Sequence, residues 1–247
     1  MSRKKAHGSL ARTAMLLAVA GSLCACAGER KPFDTAASPT LGRILLPPAG
    51  QPTIYTAMSW NPLFLLGLPG AIAGDNEERT IHSAPFTQAA QSQGVDLGTA
   101  LTTVLKDELS KAGRDVASVT PKSARPEPNA FFQDYKPFAS VGGNELVLDA
   151  AIDEAGYRST LVLPFRPFMR VIVRLVNPAT DQTIYADRFE VDPTAGTVGF
   201  RLIGRPDPDC SFETRDQLMA NVQKAGDCLG REATMIADAL ANDLQGK

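Results

Sequence analysis

The sequence predicts an α+β domain: a mixed sheet with helices packed mainly on one face. Three observations predict it. A strand–turn–strand pattern over 169–191 reads as a β-hairpin, residues 95–112 carry a helical apolar stripe, and a second helical stripe follows the hairpin. With short apolar runs ahead of them, the order is strand, helix, strand, strand, hairpin, helix, which packs as helices on a mixed sheet.

Each element has its own signal. Arg43-Ile44-Leu45-Leu46 is a short apolar run stopped by Pro47-Pro48, and it predicts the first strand. Residues 57–73 hold the single tryptophan, Trp60, beside Leu63, Phe64, Leu65 and Leu66. Pro62, Gly67, Pro69 and Gly70 interrupt this stretch, which forbids a long helix and a membrane span. Two readings stay open for it: a buried loop or short core helix, or an exposed apolar surface that contacts a partner or lipid. Over 95–112, Leu97, Leu101, Val104, Leu105 and Leu109 form one stripe, with Asp96 near the start and Gly113 just past the end, as helix caps require.

Residues 115–119 predict a strand and 121–137, rich in proline and charge, a loop. Leu146, Val147, Leu148, Ala150 and Ile152 predict a half-buried strand over 144–152. Pro164 and Pro167 deny ladder donors, so 163–168 is expected at an edge or a bend. Met169, Val171, Val173 and Leu175 alternate onto one face, 177–182 has turn chemistry, and 183–191 returns as the partner strand. The last helical stripe is Leu218, Val222, Leu229, Ala233, Ile236, Leu240 and Leu244, with Gly226 and Gly230 expected to break or bend it. The layout resembles the small α/β fold of TolB-type amino-terminal domains and of envelope lipoproteins such as the curli secretion lipoprotein. The likeness rests on the early strand ending in Pro47-Pro48, the helix ending Glu108-Leu109-Ser110-Lys111-Ala112-Gly113, and the closing hairpin. No functional residue is carried over from it.

The first 25 residues read as an export signal. Arg3, Lys4, Lys5 and Arg12 precede the apolar run 14–23, and no acid appears before Glu29. Small residues crowd the end of that run, followed by Leu23-Cys24-Ala25-Cys26. This tetrapeptide resembles the lipobox of bacterial lipoproteins: an aliphatic residue, a permissive position taken here by Cys24, a small residue and the modified cysteine. Cys24 as the modified residue would put Gly21 in the aliphatic slot. The resemblance implies cleavage before Cys26, a diacylglycerol on its sulfur and an acyl chain on its amine, enough chains for stable anchoring without a membrane span. In the class it resembles, an aspartate after the cysteine signals inner-membrane retention, so with Ala27 the resemblance implies the outer membrane, facing the periplasm. The expected organisation is then a cleaved signal at 1–25, a flexible tether at 26–40 and one periplasmic domain at 41–247.

Composition narrows the chemistry. Removing the four cations of the signal leaves 21 basic against 27 acidic residues, a net charge of −6, which argues against nucleic acid or anionic lipid as a main partner. Beyond Cys26 the cysteines are Cys210 and Cys228, an even pair in an oxidising space. Bridging them closes a loop of about eighteen residues, worth roughly 3 kcal/mol; the alternative is two separate buried thiols. His82 is the one histidine of that mature chain, and with Ser83 it lies in what reads as a surface loop, with no G-x-S-x-G elbow. Zinc needs more ligands than these residues supply, so no metal is expected. Glycine loops for phosphates are absent, and no cofactor is expected.

Asp149, Asp153 and Glu154 are the carboxylates on which a hydrolase would draw, although acids on a wet strand face are ordinarily just solvated. Two function classes remain. One is a non-enzymatic, lipid-anchored envelope protein of a Gram-negative bacterium that binds or supports a membrane-associated assembly or secretion system, with Trp60, Leu63, Phe64, Leu65 and Leu66 as its contact. The other is a hydrolase of envelope glycans.

Overall fold

The computed structural model describes residues 30–34, 41–59, 78–121, 123–140, 143–160, 163–194 and 196–245. Among these, seven strands form one mixed sheet. They are β1 (Ile44–Leu46), β2 (Thr56–Met58), β3 (Val116–Ser118), β4 (Leu146–Thr160), β5 (Leu163–Asn177), β6 (Gln182–Val191) and β7 (Arg201–Gly204). The helices are α1 (Ala84–Ser92), entered through a π-helical turn at Glu78–Ser83, α2 (Leu97–Lys111), α3 (Arg215–Ala220) and α4 (Val222–Gln245).

The sheet order is β3-β1-β4-β5-β6-β7, with β2 also on β4. β4, β5 and β6 run antiparallel; β1 pairs in parallel with β3 and β4, and β7 pairs in parallel with β6. β1 and β2 share one edge of β4: β1 pairs at Leu146 and Val147, Gly50 bridges Ala151, and β2 pairs from Gly156 to Arg158. The two short strands thus act as one interrupted strand. Gly156 permits it, because a Cβ there would stand 2.0 Å from the carbonyl oxygen of Thr56.

One face of the sheet carries the main core. Leu97, Leu101, Leu105 and Leu109 of α2 pack with Leu229, Ile236 and Leu240 of α4 against Leu148, Val171 and Val173. The predicted stripe of α2 is the buried one, and the Asp96 carboxylate caps it by accepting from the Thr99 amide at 2.9 Å. The hairpin forms as expected. Asn177 accepts from the Ala179 amide at 2.9 Å, and Asp181 takes a left-handed φ of 57° before β6 begins.

Residues 163–168 form the first part of β5, paired with β4 on one side and on the other only through an isolated bridge from Phe165 to Phe212, so the stretch lies at an edge as expected while continuing into the central strand. Pro167 is tolerated because β6 ends at Val191, opposite Met169, so the missing N–H faces a stretch where β6 supplies no acceptor. Gly226 and Gly230 do not break the last helix; α4 runs through both, and the break falls earlier, at Asn221. Gly226 serves packing instead, since a Cβ there would meet Val95 at 2.5 Å. Strand β4 also extends to Thr160, well past the predicted 152.

Residues 30–34 lie against the sheet. Within the stretch expected to be a tether, Lys31 exchanges two backbone hydrogen bonds of 2.9 Å with Ala186, adding a strip beside β6. Arg30 meets the Asp187 carboxylate at 3.2 Å.

Cys210 and Cys228 form a disulfide with Cα atoms 5.7 Å apart, tying the turn Pro208–Cys210 to α4. One turn along α4, Glu232 is fully buried, and neither carboxyl oxygen has a hydrogen-bond partner among the described residues. Burial pushes its carboxyl up to about 8, with Asp207 adding to the rise and Arg231 opposing it.

Two predictions follow from these groups. Replacing both Cys210 and Cys228 by serine removes a crosslink over 18 residues and costs about 3 kcal/mol. A thermal melt should fall by roughly 6–12 °C, and an unchanged melt would show that the bridge contributes nothing. Glu232 binds a proton in the folded chain that it lacks in the unfolded chain between pH 4.5 and about 8. Stability therefore falls as pH rises through that window, by on the order of 3 kcal/mol at pH 7. Glu232→Gln should remove this slope, so urea unfolding from pH 5 to 8 should show the variant gaining on the parent. A constant difference across that range would refute the assignment.

Candidate functional site

Strand alternation decides what the second face of the sheet carries. A bulge at Asp153 shifts the phase of β4, so that Asp149 and Glu154 reach the same side, away from the helices. Register then sets opposite charges directly across from each other: Asp149 with Arg174, Glu154 with Arg170, and Arg170 with Glu190. The result is a lattice of arginines and acids over β4, β5 and β6.

At its centre Arg170 donates to Glu154 at 2.7 Å and to Glu190 at 2.8 Å. Arg158 pairs with Asp192 and lies 3.9 Å over the ring of Phe168. Glu190 is fully buried and accepts from the Thr197 hydroxyl at 2.7 Å as well as from its amide. Burial opposes its charge, but the Thr197 amide, Arg170 and the Thr197 hydroxyl outweigh it and hold the carboxyl below its usual range.

One end of this face lies under the segment that the sequence predicts as a loop. Phe132, Tyr135 and Phe138 pack there on Leu45, Val147 and Val176 as a second small core. Asp149 anchors that cover. It meets Arg125 at 2.7 Å and accepts from the Phe132 amide at 2.9 Å and from the Tyr135 hydroxyl. The Tyr135 phenol is pushed up by burial and by the neighbouring Asp149 charge.

Beside the lattice runs an open groove, in two adjoining parts of 390 and 620 Å³. Phe131 and Phe200 wall it, Ile172 and Ala186 are in its lining, and Arg30 and Arg188 reach it. Arg188 lies 5.4 Å from the centre of the Phe200 ring and forms no ion pair among the described residues. A third cleft, of 520 Å³, lies at β2 and is lined by Thr56, Glu127, Asp153 and Glu154 among others.

The residues singled out in the sequence fall as follows. Cys26 and the contact residues Trp60, Leu63, Phe64, Leu65 and Leu66 lie outside the described residues. Cys210 and Cys228 are joined. His82 stands in a helical turn rather than a surface loop, and the Ser83 hydroxyl beside it accepts from the Ala57 amide at 3.0 Å, a structural bond. Of the three acids on β4, Asp153 and Glu154 share the third cleft, whereas Asp149 is enclosed under the Phe132 cover and is not on a wet face. The arginine lattice was missed. Arg166, Arg170 and Arg174 recur every fourth residue, an even spacing that puts all three on one face of a strand.

No family model matches the chain, and no curated protein matches it. Solved structures resembling it include a hypothetical protein from Chlamydia trachomatis, with a TM-score of 0.41 at 11% identity over 83% of this chain and 99% of that one. Another is a neuraminyllactose-binding hemagglutinin homolog from Helicobacter pylori, with a TM-score of 0.32 at 13% identity over 87% of this chain and 88% of that one. Likenesses this loose carry no argument about what the protein does.

The lattice makes one prediction. Arg170→Met leaves Glu154 and buried Glu190 without their shared cation and should cost about 3–5 kcal/mol in urea unfolding. Adding Glu190→Gln should recover part of that loss. If the single variant unfolds like the parent, Arg170 does not neutralise this face.

Proposed function

We propose that this protein is a lipid-anchored binding protein of the Gram-negative outer membrane, facing the periplasm and supporting a membrane-associated assembly without catalysing a reaction. The observation that carries the reading is the Cys210–Cys228 bridge. Bridges of this kind form and persist outside the reducing cytosol, which agrees with the export signal and with Leu23-Cys24-Ala25-Cys26. A binding role draws support over glycan hydrolysis from the state of the acids: Asp149 and Glu154 are both held by arginines. The segment around Trp60, Leu63, Phe64, Leu65 and Leu66 is the contact proposed for an envelope partner.

Metabolic labelling with a fatty acid tests the anchor. Wild type should take up label and Cys26→Ser should not. Equal label in both would sink the reading, and loss only in Cys24→Ser would move the anchor two residues. A cross-linking arm in the same cells tests the contact: Phe64→Asp should lose cross-linked partners while keeping its melting temperature. A large drop in stability would return the segment to the core.

A further inference from the structure

The groove beside β6 combines cations, aromatic walls and closeness to the anchor. Its two parts are reached by Arg30, Lys31, Arg174, Arg188 and Arg201. The one carboxylate among their lining residues, Asp187, is already met by Arg30 at 3.2 Å and Arg201 at 3.0 Å. Arg174 is likewise occupied with Tyr135 and Asp149. Arg188 and Lys31 have no carboxylate partner among the described residues; Arg188 rests on Phe200 and Lys31 donates to the Thr183 carbonyl. The whole chain carries a net charge of −2, so this face is locally opposite in sign to the protein that bears it.

The turn Thr197–Phe200 brings apolar surface to the same place. The Phe200 amide closes it on the Thr197 carbonyl at 3.0 Å, and Gly199 takes the positive φ of 87° that such a turn demands. This turn sets Phe200 into the groove wall and leaves Val198 96% exposed, an apolar side chain held in the solvent.

Chain length then fixes where the groove can be. Arg30 lines it and docks on Asp187. Cys26 is four residues earlier, and four residues span at most about 14 Å however they are arranged. If Cys26 carries lipid, Arg30 stays within about 14 Å of the anchoring point while it is docked, which keeps the groove beside the membrane surface.

From these observations we infer that the groove lined by Arg30, Lys31, Arg188, Phe131 and Phe200 is a membrane-docking surface that takes the phosphates of anionic lipid headgroups in the bilayer holding the anchor. The argument for a lipid source rests on the anchor reading above, whereas the groove and its charge do not. Arg188 and Lys31 supply the cations that no carboxylate among the described residues neutralises, Phe131 and Phe200 line the apolar slot beside them, and Val198 stands where it can enter the interface. A net charge of −6 on the chain from residue 26 onward disfavours anionic lipid only when charge is averaged over the whole surface. Segregating the cations onto the face nearest the anchor removes that objection.

The test uses the chain from residue 26 carrying Cys26→Ser, exported behind an ordinary secretory signal so that the disulfide forms and no acyl chain is added. Partitioning is measured on vesicles of phosphatidylcholine alone and of phosphatidylcholine mixed with phosphatidylglycerol. The protein should prefer the mixed vesicles, and Arg188→Gln with Lys31→Gln should weaken that partitioning about fivefold for each cation removed. Lys106→Gln, an exposed cation of α2 on the helical side of the sheet, should leave it unchanged. Equal partitioning on both vesicle types, no effect of the double variant, or an equal effect of Lys106→Gln would overturn the inference. Fatty-acid labelling keeps the two readings apart. Label at Cys26 without a groove effect removes the docking surface alone, and a groove effect without label removes the anchor while the lipid site stands.

Discussion

The open face of the sheet depends on one constraint: an ionised carboxylate buried away from water must be given its countercharge on the spot. Glu190 and Asp149 are both fully buried on that face. Each is served three times, Glu190 by Arg170 and by the amide and hydroxyl of Thr197, Asp149 by Arg125, the Phe132 amide and the Tyr135 hydroxyl. The partners come from β5, from the connection after β6 and from the segment over 123–140. Satisfying two acids therefore fixes where three separate stretches of chain must lie. The helical face is organised mainly by apolar contact, supplemented by the disulfide and by hydrogen bonds such as those of Tyr157 to the Ala225 carbonyl and Tyr185 to Asp243. The two sides of the sheet are thus held by different physics. One is specified by shape and burial, the other by the pairing of charges.

This difference explains what was legible in the sequence. Apolar periodicity reports only on faces that bury apolar atoms. It located α2, the hairpin and α4, because Leu97–Leu109 and Met169–Leu175 contribute to the main core. It stopped short on β4 at 152, because past the bulge the open face carries Glu154 and Arg158, which read as polar loop to a hydropathy pattern. The prolines marked 163–168 as an edge, and β6, which ends opposite Met169, leaves that side open, but the continuity of this stretch with 169–177 as one strand is a tertiary fact. β1 was readable from the apolar run Ile44-Leu45-Leu46 and the prolines that stop it, whereas β2 and β7, similarly short, carry no such run of large apolar residues.

The candidate site was less legible still. The disulfide could be expected by counting, since two cysteines in an exported chain leave one pairing. The groove could not, because it joins Arg30, Phe131, Arg188 and Phe200, residues from four distant segments. Nothing local marks Arg188 as different from Arg170. Only the assembled sheet shows that one has two carboxylates across from it and the other has an aromatic ring. Glu232 is comparable: its place on the apolar stripe of α4 is visible in the sequence, but its lack of partners is a property of the packed core.

The strip at residues 30–34 has a mechanical consequence. It is held to β6 by two backbone hydrogen bonds at Lys31 and by the contact of Arg30 with Asp187, and it is not woven between strands. Tension applied ahead of Arg30 meets this strip before it meets the sheet. Bonds at a free edge open one after another under such a pull, whereas those of β4 and β5 are shared across the whole sheet. Peeling residues 30–34 away frees the chain through Asp34, eight residues beyond Cys26, and raises the reach of the leader from about 14 Å to about 28 Å. The same segment is a short stay when docked and a longer line when pulled.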